Sequence, residues 1–74
     1  MVNYKSTAII HREGKWFVAR SLELGVTTQG KTIEMAKENL REAVELYLED
    51  MPISRKILSK EIPLVTSIEI SARG

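Results

Sequence analysis

Between Thr32 and Met51, apolar residues recur at three- and four-residue spacing as Ile33, Ala36, Leu40, Ala43, Val44, Tyr47, Leu48 and Met51. That spacing lays them along one stripe of an α-helix, and a helix with one apolar stripe must find a surface to cover. Thr32 is the expected N-cap, because its hydroxyl can accept from an orphan backbone N–H in the first turn. A full capping box would place Glu or Gln at position 35; Met35 stands there, so half the device is present. Glu34 suits the positive end of the helix dipole, and Pro52 ends the segment.

The flanks say what the stripe covers. Val2 to Ile10 is rich in Val, Tyr, Thr and Ile and predicts a strand, followed by a polar break at His11–Lys15 with Gly14 suited to a positive φ. Trp16 to Ser21 is a second strand, with Trp16, Val18 and Arg20 on one face and Phe17 and Ala19 on the other. Leu22–Gly25 is a turn, and Val26–Gln29 is a short third strand ended by Gly30. Beyond the helix, Ile53–Ile62 is a mixed connection. Pro63 then opens a fourth strand, in which Leu64, Thr66, Ile68 and Ile70 alternate with Val65, Ser67 and Glu69. The order β-β-β-α-β predicts one α+β domain over residues 1–74, a four-stranded mixed sheet with one helix on one face. With strand four parallel to strand one, a right-handed crossover carries the helix over the sheet. One helix covers one face, so the other is solvated or buried against a partner.

A chain of 74 residues without cysteine or a Cys/His cluster has neither disulfide nor metal staple. Domains of this size bury only about 60% of the surface their unfolded chains expose, and small scaffolds gain core by associating. A homo-oligomer is therefore expected. No apolar run approaches the roughly 20 residues of a membrane span, and no signal-peptide core follows Met1, so the chain is expected in the cytoplasm with no membrane contact.

Charge is nearly balanced, 11 Lys+Arg against 10 Asp+Glu, but unevenly placed. Residues 1–31 carry net +3 and residues 52–74 net +2. The segment 32–51 sets Lys37 and Arg41 against Glu34, Glu38, Glu42, Glu45, Glu49 and Asp50, net −4. The glutamates Glu34, Glu38, Glu42, Glu45 and Glu49 form a candidate acidic face for a basic partner, or a solvated helix surface. Within it, Glu34–Lys37, Glu38–Arg41 and Arg41–Glu45 are favourable pairs of about 0.3 kcal/mol each, opposed by the like-charged Glu34–Glu38, Glu38–Glu42 and Glu45–Glu49.

Reactive chemistry is sparse. His11 is the single histidine, set beside a polar loop without an obvious nucleophile nearby. Gly25 to Thr32 matches G-x-x-x-x-G-K-[ST], the phosphate-loop pattern, and opens a helix. Its interior, Val26-Thr27-Thr28-Gln29, is strand chemistry, and the chain is too short for the repeated βαβ units of that fold. The two glycines fit better as relief of strain at the ends of a short strand. Glu13, Glu23, Glu61 and Glu69 have no ligand-like spacing. No catalytic residue, metal or cofactor is expected, and the chain is not expected to be an enzyme.

The run Trp16–Gly30, with its Ser21-Leu22-Glu23-Leu24-Gly25-Val26-Thr27-Thr28-Gln29-Gly30 core, resembles the "PEL-GV-TQG" signature of HicB-like antitoxins. Thr32–Glu49 is similar to the helix that follows it in that family, at most positions. Ser21 and Met35 depart from the pattern. The resemblance implies a partial ribonuclease-H-like fold without that enzyme's catalytic carboxylates, self-association, and a HicA-like mRNA-cleaving toxin protein as partner. It also places the family motif on Leu22, Leu24, Gly25, Gln29 and Gly30, as fold-determining or partner-contacting residues. Many family members append a DNA-binding domain; nothing follows the fourth strand here, so DNA binding is not expected.

Two functions are thus in play. One is a protein-interaction module of antitoxin type. The other is a small RNA-binding domain, in which Lys5, Arg12, Lys15 and Arg20 of the meander act with Trp16 and Phe17 on single-stranded RNA.

Overall fold

The computed structural model describes residues 4–58 and 63–73. Three strands precede one helix: β1 (Ala8–Glu13), β2 (Trp16–Ser21), β3 (Thr27–Gly30) and α1 (Ile33–Asp50), followed by a 3-10 turn at Pro52–Lys56. The sheet has the order β1-β2-β3 and both pairings are antiparallel. The architecture is α+β, a three-stranded meander with one helix on one face.

β1 and β2 pair from Ala8↔Ser21 to Glu13↔Trp16, which leaves Gly14 and Lys15 as a two-residue loop. Gly14 has φ 59°, the conformation a tight loop with glycine at its first central position demands. The expected polar break is therefore two residues long rather than five, and His11, Arg12 and Glu13 belong to the strand. Polarity did not end the strand, because an antiparallel sheet with a wet face accepts polar side chains there. The first residues of the expected strand, Val2 and Asn3, lie outside the described residues.

Strand alternation sorts the side chains as the sequence predicts. Ala19 and Ser21 are buried and Phe17 is half-buried on the helix side, while Trp16 and Arg20 stand exposed on the other. The stripe of α1 meets the inner face: Ala19, Ala36, Leu40 and Val44 form the core, with Ile10, Phe17, Leu24, Val26 and Leu48 packed around it. Fully burying side chains such as Leu40 and Val44 contributes about 1.5–3 kcal/mol each. The ends of the stripe, Ile33 and Met51, stay exposed. Both helix ends are satisfied: Thr32 Oγ1 accepts from Met35 N at 3.0 Å, and Met51 N donates to Tyr47 O at 2.8 Å.

The helix is also fastened to β3 directly. Thr28 Oγ1 donates to Ala36 O at 3.1 Å, and Asn39 Nδ2 donates to Gln29 O at 2.9 Å. At Gly30 the helix comes closer still. A Cβ there would lie 2.5 Å from Ala36 N and 2.8 Å from Met35 C. Glycine is thus required at position 30 for close approach, and strain relief through positive φ applies only at Gly25, where φ is 73°.

Among the described residues the sheet has three strands, not the expected four. Residues Pro63–Arg73 include the expected fourth strand, Leu64–Ile70, but they pair with no described strand and are exposed throughout. Alternation marks a segment able to lie half-buried in a sheet; it does not specify which edge receives it. Residues 59–62 of the expected connection lie outside the described residues.

Substituting Gly30→Ala should destabilise the domain by about 1–3 kcal/mol, because neighbouring backbone must move to admit the methyl group. Urea denaturation followed by helix circular dichroism measures this, and Gly14→Ala, whose added Cβ meets nothing within 4 Å but whose φ is positive, separates collision from strain.

Candidate functional site

The five family-motif residues sit around the β2–β3 turn and the start of α1, and most of them are occupied with holding the fold. Leu24 packs on the core, Gly25 takes the left-handed backbone, and Gly30 admits the helix. Gln29 offers its carbonyl to Asn39 while its side chain is exposed. Leu22 is different: its N–H donates to Thr7 O at 2.8 Å, but its side chain is 48% exposed. Of the five, Leu22 is the large apolar side chain left exposed.

Beneath that turn lies a polar clamp that sequence reasoning missed. The Glu23 carboxylate accepts from Thr7 N at 2.7 Å, Thr7 Oγ1 at 2.8 Å and Ser6 Oγ at 2.8 Å. Ser6 Oγ and Ser21 Oγ are 2.6 Å apart, and Ser21 Oγ also accepts from Leu24 N at 3.2 Å. Ser21-x-x-Leu24 is a hydroxyl-to-backbone turn, and that local motif was the available signal. Partial desolvation pushes the Glu23 pKa up, but the hydrogen bonds from Thr7 and Ser6 outweigh it and hold the carboxyl below its usual range. A carboxylate so stabilised is a poor general base near neutral pH. The cluster fastens the entry of β1 to the β2–β3 turn.

The acidic set of α1 forms a continuous ridge. At about 100° per residue, Glu34, Glu45, Glu38, Glu49 and Glu42 fall side by side, opposite the buried stripe. All five are exposed. Arg41 sits on one border and is held by Glu38 and by Glu45, the latter at 2.9 Å, as the spacing predicts. The Arg41 hydrogen bond holds the Glu38 pKa below its usual range.

On that side, Glu34, Glu38 and Glu45 overhang a groove of about 510 Å³ between α1 and the N-terminal end of β1. Its floor is apolar, made by Ala8, Leu40, Val44, Leu48 and Leu58, with Tyr4 at the rim. On the opposite flank of the ridge, Met35 and Leu46 are exposed.

The basic and aromatic residues of the meander do not gather on one surface. Arg12 lies 5.9 Å from the centroid of Phe17 and donates to Gly14 O, on the helix side of the sheet. Trp16 and Arg20 belong to the opposite face, beside His11, which is 3.8 Å from Glu13. Among the described residues no group of three or more His, Cys, Asp and Glu side chains is placed to hold a metal ion.

The described residues thus form a small α+β domain with an acidic helix ridge, an apolar groove beside it and an exposed sheet face. The chain belongs to a family of unknown function (DUF7387), whose model matches residues 3–68. It is similar to a UPF0150 protein of Helicobacter pylori strain J99, 36% identical over 66 residues that cover 86% of this chain and 92% of that protein. No solved structure matches it. No helix among the described residues is long and apolar enough to cross a membrane.

Removing the clamp has a signed pH consequence. Because the folded-state pKa of Glu23 is lowered, its stabilisation is fully present above the unfolded carboxylate value of 4.5 and is lost as pH falls through the folded value. Glu23→Ala leaves three donors without their acceptor and should cost about 1–3 kcal/mol at neutral pH. The penalty should shrink below pH 4 in denaturant titrations of the two proteins.

Proposed function

We propose that this chain is a non-enzymatic protein-interaction module of HicB-like antitoxin type, which binds and neutralises a small basic mRNA-cleaving protein of HicA type in the cytoplasm. The observation that carries this reading is the α1 ridge: five exposed glutamates on one line, on a molecule that is basic on either side of it in sequence. An RNA-cleaving protein must present a cationic surface to phosphate, and an acidic ridge competes for that surface while raising the association rate. The resemblance over Trp16–Glu49 supports the same partner class. On this reading the full architecture is the partial ribonuclease-H-like fold, with Leu64–Ile70 as its fourth strand, and the chain works as a homo-oligomer.

Direct RNA binding is less well served, because Arg12 and Phe17 lie on one side of the sheet while Trp16 and Arg20 lie on the other. Each face thus carries a single aromatic with a single arginine, whereas sheets that bind single strands stack two or three bases on one face.

The test is co-expression with the protein encoded beside this chain. The two should co-purify, and RNA cleavage by the neighbour should stop when this chain is added. Glu42→Lys/Glu49→Lys, two exposed positions outside the Glu38–Arg41–Glu45 ion pairs, should weaken that complex by about tenfold or more at low salt without loss of helix content. Undiminished RNA cleavage in the presence of this chain would defeat the proposal, as would tight, salt-dependent RNA binding by this chain alone.

A further inference from the structure

The C-terminal segment Pro63–Arg73 is the most anomalous part of the surface. Leu64 is 91% exposed, Ile68 78% and Ile70 72%, with Val65 also exposed. Large apolar side chains scattered singly on a surface are ordinary, but four within seven residues are not. They also alternate, with Leu64, Thr66, Ile68 and Ile70 on one side and Val65, Ser67 and Glu69 on the other, the pattern of a strand with one face to bury.

A matching vacancy exists on the same molecule. β1 is an edge strand, paired to β2 on one side and to no described strand on the other. Directly beside it runs the groove floored by Ala8, Leu40, Val44, Leu48 and Leu58. A strand laid along β1 would complete backbone hydrogen bonds and drop one row of side chains into that groove, beneath the flank of α1. An open edge of this kind invites pairing with another chain.

We infer that the segment Leu64–Ile70 is an exchange arm, which pairs with the β1 edge of a second copy of this chain and fills its groove, so that two copies complete each other's sheets reciprocally. Three observations select a second copy as the occupant. The arm does not close on its own β1, although no described strand occupies that edge. None of the arm's apolar side chains lines the groove of its own chain, and all of them stay exposed. And the buried core of one chain is small, five apolar residues among those described, with no disulfide, so each copy lacks what the other's arm supplies. Exchange of an identical element gives a closed two-fold dimer, in which every edge β1 and every arm is used.

This inference does not depend on the toxin partner and is tested without it. The full chain should elute as a dimer in size-exclusion chromatography with light scattering. Ile68→Lys/Ile70→Lys should convert it to a monomer while the helical circular dichroism of α1 persists, since neither side chain contributes to the core of its own copy. In mixtures of isotope-labelled and unlabelled chains, nuclear Overhauser contacts should connect the methyl groups of Ile68 and Ile70 to Ala8 and Leu40 across molecules. A monomeric wild type, a dimer that survives the double substitution, or contacts confined to one molecule would each overturn the exchange.

Discussion

The first turn of α1 rests on the backbone of Gly30 so closely that a single methyl group would collide with Ala36 N. Everything else in the domain follows from that seating. It fixes where the helix begins relative to β3, and Thr28 and Asn39 then hold the same approach through hydrogen bonds donated to backbone carbonyls. With the axis set, Ala36, Leu40 and Val44 fall over Ala19, and small residues at both ends of that contact let the layers meet. The acidic ridge points outward because the apolar stripe is held inward.

The same economy leaves the fold short of material. Five apolar residues are buried among those described, while many large ones, including Trp16, Leu22, Met35 and Leu46, remain exposed. One helix cannot cover two sheet faces, and a three-stranded sheet has two edges. Polar fastening compensates at one end, where the Ser6–Thr7–Ser21–Glu23 clamp stitches the entry of β1 to the β2–β3 turn. Beside it, the groove between α1 and β1, which Ser6 also lines, is closed by nothing described in the single chain.

Local patterns in the sequence were legible and distant ones were not. The helix was readable from its period, its cap at Thr32 and its stop at Pro52; the observed bounds, Ile33–Asp50, sit inside those marks. The facing of β2 followed from alternation, and the Arg41 pairs from helical spacing. Gly30 was recognisable as special, but its reason was taken to be conformational, whereas close approach of another element decides it. The clamp escaped notice because Ser6 and Glu23 are 17 residues apart and meet only once β1 and β2 pair. The alternation at Leu64–Ile70 predicts a fourth strand, but that segment pairs with no described strand, because alternation carries no information about which edge is filled.

The acidic ridge and exposed Leu22 face solvent, and the carboxylate with the best-defined environment, Glu23, is stabilised as an anion. The account rests most heavily on the claim that a single copy is structurally incomplete and finds its missing strand in another chain. Thermal unfolding across roughly a hundredfold range of protein concentration tests it directly, since association with a second copy links stability to concentration. The account predicts a midpoint that rises steadily with concentration. A midpoint independent of concentration would contradict it.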